Sequence, residues 1–253
     1  MPWMEKLRVD IWSDIACPWC YVGKRRLEAA LARFDERESV EVVWRSFELD
    51  PSAKGAPGPT VDGDYAARLA RKYRTSPAQA EGMISNMTAT GVAEGLELRF
   101  DRARVCNTFD AHRLLQWASQ QGAPHQGALK ERLLRAYFTE GEALDDLDTL
   151  ARLAGDVGLS AEAARAALAT TEGAREVRAD EAMAQSVGVT GVPFFVFDGH
   201  IGVSGAQPPE VLLGALRRAW SDASDASEAT DATDASEGER CDPDGCDAGR
   251  PRA

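Results

Sequence analysis

The sequence predicts an α/β fold that is interrupted by a large all-helical insertion and followed by a disordered acidic C-terminal tail. Strand-like runs occur only towards the two ends of the body, at "LRVDIW" and "VEVVW" and again at "VPFFVFDGHIGVSG". Between them the apolar residues recur mostly with helical spacing. Beyond residue 220 the chain repeats Ser/Thr–Asp/Glu–Ala triplets that carry no aromatic side chain. Such a segment cannot bury enough apolar surface to fold by itself.

The first part of the α/β unit spans residues 1–60. Residues 7–12 are predicted to form the first strand, and residues 18–34 carry an apolar stripe with the period of a helix. Residues 40–44 are mostly β-branched or aromatic and predict a second strand. The Pro/Gly-rich connector "DPSAKGAPGPT" then ends this β-α-β unit.

Residues 61–187 form the predicted helical insertion. Its segments, such as "NTFDAHRLLQWASQQG" and "HQGALKERLLRAYFTEG", show helical periodicity. The expected N-cap residues of four helices are Ser76, Asn107, Asp146 and Ser160.

Residues 188–220 complete the α/β unit. We expect a hairpin that turns near Asp198-Gly199, followed by a closing helix in "PPEVLLGALRRAW". Residues 221–253 form the predicted tail. A doubly wound nucleotide-binding fold is excluded because the first strand-to-helix turn lacks a glycine fingerprint.

Composition excludes several classes of protein. The chain has 253 residues, of which 44% are hydrophobic and 28% charged, as in ordinary globular proteins. The net charge is −12 and no basic stripe is present, which argues against nucleic-acid and anionic-membrane partners. No apolar run is long enough to cross a bilayer, and "MPWMEKLRVDIW" does not resemble a secretory signal. We therefore expect a cytoplasmic protein, in which a thiol pair is usually catalytic or metal-binding.

The candidate catalytic residues are Cys17 and Cys20 of "ACPWCYVGK", at the junction of the first strand and helix. The unpaired N–H groups and positive dipole end of a helix N-terminus favour a thiolate. We expect Cys17 to attack a disulfide and Cys20, one turn further along, to resolve the mixed disulfide. Pro18 fits the first helical turn, where its missing N–H costs little.

Three motifs occur in the order found in a known family: "SDIACPWCYVGKRRLE", "NTFDAHRLLQWA" and "GVTGVPFFVFDG". Together they resemble the thioredoxin superfamily, specifically the FrnE-like members of its DsbA family, over about residues 7–220. The resemblance implies a thioredoxin fold and a protein disulfide reductase or isomerase active in oxidative-stress protection. It implies no bound cofactor, disulfide- or thiol-containing proteins as partners, and glutathione or thioredoxin as a possible electron partner.

The same resemblance implies where substrate binds. Val192-Pro193 would be a cis-proline loop that faces the two cysteines, with the Val192 backbone offered to an extended peptide. Pro18, Trp19, Val192 and Pro193 are accordingly the expected substrate-binding residues.

Other interpretations of the thiol pair remain open at this point. Cys17 and Cys20 could be half of a zinc site completed by Cys241 and Cys246, or a structural disulfide. A glutathione-dependent isomerase of the 2-hydroxychromene-2-carboxylate type shares the predicted layout, although such enzymes usually lack the paired cysteines. A non-catalytic holdase or a zinc-binding interaction module represents a different class of function. We expect no bound metal.

Three cysteines lie outside the CPWC motif. Cys241 and Cys246 form a CxxxxC pair in the tail, and we expect it to be a secondary redox pair that exchanges disulfides with Cys17 and Cys20. A flexible linker of about 20 residues would span about 25 Å. An incidental or metal-scavenging tail is the alternative, and a packing role is expected for Cys106.

Several polar residues near the motifs have ordinary explanations. Asp14 suits a strand-end turn, and Asp110 suits capping or surface hydrogen bonding. Lys24 and its neighbours Arg25 and Arg26 are expected to be solvated helix charges.

Overall fold

The computed structural model describes residues 6–54 and 64–237. Within these ranges the strands are β1 (Leu7–Ser13), β2 (Val40–Ser46), β3 (Phe194–Phe197) and β4 (Ile201–Ser204). The helices are α1 (Pro18–Leu31), α2 (Asp64–Tyr73), α3 (Pro77–Ala93), α4 (Phe109–Ser119), α5 (Ala123–Arg135), α6 (Leu147–Gly155), α7 (Ala161–Leu168), α8 (Ala174–Ser186) and α9 (Pro209–Glu237). A π-helical turn, Ala136–Glu140, continues α5. Neither the boundary predicted between residues 60 and 61 nor Cys241 and Cys246 lies within the described residues.

The four strands form one mixed sheet in the order β2-β1-β3-β4. β1 and β2 are parallel, with Leu7 opposite Val40, and α1 is the crossover between them. β3 is antiparallel to both β1 and β4. The turn from β3 to β4 has positive φ at Asp198 and Gly199, at the position predicted for the hairpin. This is the thioredoxin fold with a helical insertion that the sequence predicted.

Two hydrophobic cores correspond to the sheet unit and the insertion. The first packs α1 and α9 against the sheet through buried residues such as Ile11, Leu27, Phe195 and Leu216. The second fills the helical insertion, and it also includes residues beside the CPWC motif, such as Ile15 and Val22. The insertion therefore packs over the end of β1, where the two cysteines lie.

Polar side chains also join the insertion to β2. Gln126 of α5 exchanges two hydrogen bonds of 3.0 Å with the backbone of Trp44, as a neighbouring strand would. Asp180 of α8 is buried and accepts hydrogen bonds from Arg45 at 2.9 Å and from the amide of Ser46 at 2.9 Å. These bonds satisfy backbone and charged groups at an otherwise open sheet edge.

The predicted N-caps are confirmed at three of the four helices. Ser76, Asp146 and Ser160 each accept a backbone N–H in the first turn of their helix. The prediction at Asn107 was wrong by one residue, because α4 has Thr108 at its N-cap position. The Asn107 side chain instead accepts the amide of Phe109 at 2.8 Å.

The C-terminal segment differs from the prediction. Residues 221–237, expected to be disordered, continue α9 as a helix to Glu237. Alanine recurs every third residue there and has the highest helix propensity. The packed first half of α9 also supplies the helix nucleus, so each added residue gains a hydrogen bond without the cost of nucleation. Among the described residues, no helix is both long enough and apolar enough to cross a membrane.

Candidate active site

The two cysteines lie where the sequence predicted them. Cys17 is the N-cap residue of α1, with an extended backbone at φ −103° and ψ 110°, and Pro18 follows in the first turn. The amide of Cys20 donates to the Cys17 carbonyl at 3.0 Å. Both thiols are reduced and buried, although Cys17 lines an open cavity.

The loop before β3 faces these thiols. Val192-Pro193 is a cis peptide bond, and the Val192 carbonyl oxygen accepts the Cys17 Sγ–H at 3.5 Å. The Pro193 carbonyl accepts the amide of Gly205 at 2.8 Å, which ties the loop to the end of β4. The structure thus brings together Cys17, Val192 and Pro193, which are 175 residues apart in sequence. Trp19 extends beside them and is 46% exposed.

The charge of the thiol pair differs from our expectation. A thiolate was expected on Cys17, but the hydrogen bond with Cys20, together with burial, raises the pKa of Cys17 well above its ordinary value. Burial also raises the pKa of Cys20, but the hydrogen bond from Cys17 and the charge of Lys130 outweigh it, so this pKa is lowered. The physical reason is the distribution of partners, since Cys17 lies near the negative charges of Cys20 and Asp14, whereas Cys20 lies near the positive charge of Lys130. Of the two sulfurs, the inner one is therefore the one on which a negative charge is favoured.

A buried carboxylate supports the loop between β1 and α1. Asp14 accepts the amide of Leu49 at 2.8 Å and that of Ala16 at 3.3 Å. Its Oδ1 also lies 3.4 Å from Nε2 of His112, which comes from α4 and is fully buried. Burial raises the pKa of Asp14, but the hydrogen bonds and the charge of His112 outweigh it and lower the pKa overall. Asp14 therefore does more than form the expected strand-end turn, because it also contacts the helical insertion through His112.

The basic residues of α1 are paired. Glu131 of α5 accepts hydrogen bonds or ion pairs from Tyr21, Lys24 and Arg25. Arg26 pairs with a glutamate of the loop after α3 at 2.6 Å. These cations were expected to be solvated, but they join α1 to the insertion because its acidic residues face them.

A cavity of about 340 Å³ opens beside Cys17. Pro18 and Trp19 form one side of it, and residues of α2 and α3 form the other. Its wall is largely apolar, with Arg68 and Lys72 as the basic lining residues. Cys106 also lines it, and burial raises the pKa of that thiol to about 12, which keeps it protonated.

One residue near the thiols was missed by the sequence analysis. Lys130 of α5 is fully buried, and its Nζ donates to the Ser13 carbonyl at 3.4 Å. A signal was present, because Lys130 lies on the apolar face of "HQGALKERLLRAYF", between Leu129 and Leu133. Within residues 6–54 and 64–237 no group of three or more potential metal ligands is clustered.

Comparison with known proteins places this geometry in a family. Residues 8–217 match the DSBA-like thioredoxin domain. An uncharacterized protein of Bacillus subtilis, YwbO, is 28% identical over 212 residues, which are 83% of this chain and 96% of that protein. A probable DsbA oxidoreductase from Streptomyces coelicolor has a solved structure with a TM-score of 0.75 and 42% identity, covering 96% of this chain and 100% of the other.

More distant structures share the fold. The cytosolic disulfide reductase DsbM from Pseudomonas aeruginosa has a TM-score of 0.57 at 18% identity, with coverage of 84% and 98% of the two chains. A 2-hydroxychromene-2-carboxylate isomerase has a TM-score of 0.60 at 16% identity, with coverage of 86% and 98%. From the extent of the family match and the likeness to the Streptomyces structure, the chain belongs to the DSBA-like thioredoxin domain family.

Proposed function

We propose that this protein is a thiol–disulfide oxidoreductase that reduces or isomerises protein disulfides through Cys17 and Cys20. The observation that carries the proposal is the arrangement of two free thiols at a helix start, beside the Val192 carbonyl and an open cavity. Both sulfurs are buried, but Cys17 lines the cavity and Cys20 does not. We further propose that it acts in the cytoplasm, in protection against oxidative stress, as a FrnE-like member of the family.

The reaction proceeds by two exchanges. Cys17 gives its proton to the Cys20 sulfur, and the Cys17 thiolate attacks one sulfur of the substrate disulfide, which forms a Cys17–substrate disulfide and releases the other sulfur as a thiolate. The released thiolate takes up the proton of Cys20, and the Cys20 thiolate then attacks Cys17 Sγ, which closes the Cys17–Cys20 disulfide and releases the second substrate thiolate. Two electrons pass to the substrate, and glutathione or thioredoxin restores the dithiol.

Substrate binding itself activates Cys17 in this scheme. In the free protein the Val192 carbonyl accepts the Cys17 S–H at 3.5 Å and thereby favours the protonated sulfur. An extended peptide that pairs with the Val192 backbone competes for that carbonyl oxygen. Loss of this acceptor leaves the Cys17 S–H to donate to Cys20, which takes up the proton as the Cys17 nucleophile forms. Trp19 and Pro18 border the same opening and contact the peptide.

The test uses three variants and a model protein disulfide, with glutathione as the electron source. Cys17→Ser should abolish reduction, and Cys20→Ser should accumulate a mixed disulfide that can be identified by mass spectrometry. Cys106→Ser is the matched control, because it removes a buried thiol from the wall of the same cavity and should retain activity. Full reduction by Cys17→Ser would refute the mechanism. Retained suppression of aggregation in that variant would favour a holdase.

A glutathione-dependent isomerase acting on a small apolar carboxylate is the second candidate. The apolar cavity with Arg68 and Lys72 in its lining favours it, as does the fold shared with the 2-hydroxychromene-2-carboxylate isomerase. The two candidates differ in their need for Cys20. An isomerase that works from a single thiol should tolerate Cys20→Ser, whereas disulfide reduction should not.

The tail pair Cys241/Cys246 stays a proposed secondary redox pair, but the way in which it would reach Cys17 and Cys20 differs from the expected flexible linker. At Trp220, α9 packs on Phe34 beyond the end of α1, with ring centroids 6.0 Å apart. This contact lies at the opposite end of α1 from Cys17, and the helix continues to Glu237, about 25 Å further along its axis. A flexible linker from residue 221 is therefore not available, so exchange within one chain requires the end of α9 to unwind. Peptide mapping of oxidised protein for a disulfide between the two pairs tests this proposal.

A further inference from the structure

The cavity beside Cys17 is larger than the passage of an extended peptide backbone requires. Its volume is about 340 Å³, whereas an apolar cavity of about 150 Å³ holds one benzene molecule. Its lining extends from Trp19, which is 46% exposed, to Cys106 and Tyr137, which are 4% and 1% exposed. The cavity therefore has room for a large side chain that points from the surface into the helical insertion.

The wall of this cavity suits an apolar group. Tyr65 of α2 packs on Phe100 with ring centroids 4.9 Å apart, and Ile84 and Met87 of α3 also line the cavity. All four side chains belong to the core of the insertion or pack against it. They are therefore held in place before a substrate binds, and an apolar side chain that enters is removed from water without any rearrangement of the fold.

Two basic side chains of α2 line the same cavity. The exposed Lys72 pairs with no carboxylate of the described residues, and its Nζ lies 5.8 Å from the centroid of the Tyr73 ring. Arg68 has only a long ion pair of 3.7 Å with Asp50. The other acidic lining residue, Asp14, is engaged by two backbone amides and an imidazole. A carboxylate that arrives at the cavity would therefore meet an unpaired ammonium group.

The position of the cavity next to Cys17 determines which substrate residue can enter it. A peptide that pairs with the Val192 backbone is extended, so its side chains alternate between two sides. The substrate cysteine points towards Cys17, and its immediate neighbours therefore point away from the protein. The residues two positions from the cysteine point to the same side as the cysteine, about 7 Å along the chain. One of these side chains meets the cavity.

We propose that the cavity is a specificity pocket for a large apolar residue two positions from the substrate cysteine, and that Lys72 binds an acidic residue beside it. The inference rests on the proposed function and names its substrate class, which is disulfides of protein segments that combine large apolar residues with Asp or Glu. Glutathione does not belong to this class, because its several polar groups would find few partners against an apolar wall. The chemistry is the pair of exchanges of the proposed reaction, and the pocket acts on its rate through binding.

The experiment uses peptides that are blocked at both termini and joined as disulfide dimers. In Asp-Phe-Ala-Cys-Ala-Phe-Asp each Phe lies two positions from the cysteine, and in the isomer Asp-Ala-Phe-Cys-Phe-Ala-Asp each Phe lies next to it. Reduced protein in excess is mixed with each dimer, and the release of peptide thiol is followed by acid quench and chromatography. The rate with Cys17→Ser is subtracted to remove reactions of other thiols. Each rate is divided by the rate of the same dimer with dithiothreitol, which corrects for intrinsic reactivity.

The charge of the acidic residue is tested with the dimer of Asn-Phe-Ala-Cys-Ala-Phe-Asn. The chain has a net charge of −12 and repels acidic peptides at long range. At an ionic strength of about 0.15 M, charges more than about 8 Å apart are largely screened, so the ratio of the Asp rate to the Asn rate reports nearby charges. Arg71→Gln is the matched control for Lys72→Gln, because it makes the same change of charge on α2 and Arg71 does not line the cavity.

The wild type should reduce the first dimer about tenfold or more faster than its isomer, because only the first can bury a Phe side chain in the cavity. The ratio of the Asp rate to the Asn rate should fall about two- to fivefold in Lys72→Gln, as expected for an exposed ion pair, and keep its wild-type value in Arg71→Gln. Equal rates for the two isomers would overturn the pocket, and an unchanged ratio in Lys72→Gln would overturn the role of Lys72. If the wild type reduced none of the dimers, the proposed function itself would be overturned.

Discussion

The contact between Gly23 and Pro193 gives the sharpest test of how the fold positions the site. Gly23 lies on α1, one turn after Cys20, and a Cβ there would lie 2.9 Å from Cγ of Pro193 and 3.2 Å from Cζ of Phe195. The proline ring is fixed to its backbone and Phe195 is fully buried, so neither can move aside freely. Gly23→Ala should therefore push the loop that carries Val192 away from α1.

The magnitude follows from two opposing effects. Replacing a helical glycine by alanine stabilises a helix by about 1 kcal/mol. Overpacking a filled contact costs about 1–3 kcal/mol. Gly23→Ala should thus lower the free energy of unfolding by about 0–2 kcal/mol. Gly214→Ala on α9 is the matched control, because a Cβ there meets nothing within 4 Å, and it should gain up to about 1 kcal/mol.

Urea denaturation of both variants measures the stability difference, and reduction of a model protein disulfide measures activity. A displaced loop weakens the pairing between Val192 and the substrate peptide, so kcat/KM of Gly23→Ala should fall by about tenfold or more, since small misplacements of reacting groups are costly. Gly214→Ala should retain full activity. If Gly23→Ala were as stable and as active as Gly214→Ala, the close packing of α1 on the cis-proline loop would not position the site.

Three further predictions concern buried charges. Asp180→Ala should destabilise the protein by about 1–3 kcal/mol, because it leaves the buried amide of Ser46 without its acceptor, while Arg45 keeps its ion pair with Asp10 at 2.7 Å; no measurable loss on urea denaturation would contradict this. The pKa of Asp14 is lowered in the fold, so its contribution is present above the unfolded pKa of about 3.9 and is lost as pH falls toward the folded pKa. In Asp14→Asn the free energy of unfolding should accordingly fall less steeply as the pH is lowered. The same fall as in the wild type would contradict this. The pKa of Lys130 is about 8, below its unfolded value of about 10.4, so protonation favours the unfolded state and wild-type stability should rise between these pH values. Lys130→Met should lack this rise in the oxidised protein, measured by thermal unfolding at each pH.

The elements that place the two cysteines could be predicted because their signals are local. β1 ends in an apolar run, Pro18 fits a first helical turn, and the Cys17–Cys20 spacing is one helical turn. The hairpin was also predictable, since Asp198-Gly199 suits positive φ. The position of Val192-Pro193 opposite the thiols came from the family resemblance, and the fold confirms it.

What the sequence did not reveal depends on contacts across the chain. Lys130 contributes to the lowered pKa of Cys20, although it lies 110 positions further along the chain and its local sequence is that of an ordinary helix. The contact between His112 and Asp14 was also missed, because the two residues are 98 positions apart and no local pattern links them. The extension of α9 was missed because residues 221–237 are acidic and poor in large apolar side chains, which predicted disorder. Their regularly spaced alanines, which favour a helix, were given too little weight.

We propose that Cys17 and Cys20 form a working redox couple. A glutathione redox titration of the full-length protein, with alkylation at each potential and peptide mass mapping, tests it most directly. We expect Cys17 and Cys20 to interconvert reversibly between dithiol and disulfide with one midpoint, while Cys106 stays reduced throughout. If Cys17 and Cys20 remained reduced at every potential, the redox mechanism would be contradicted.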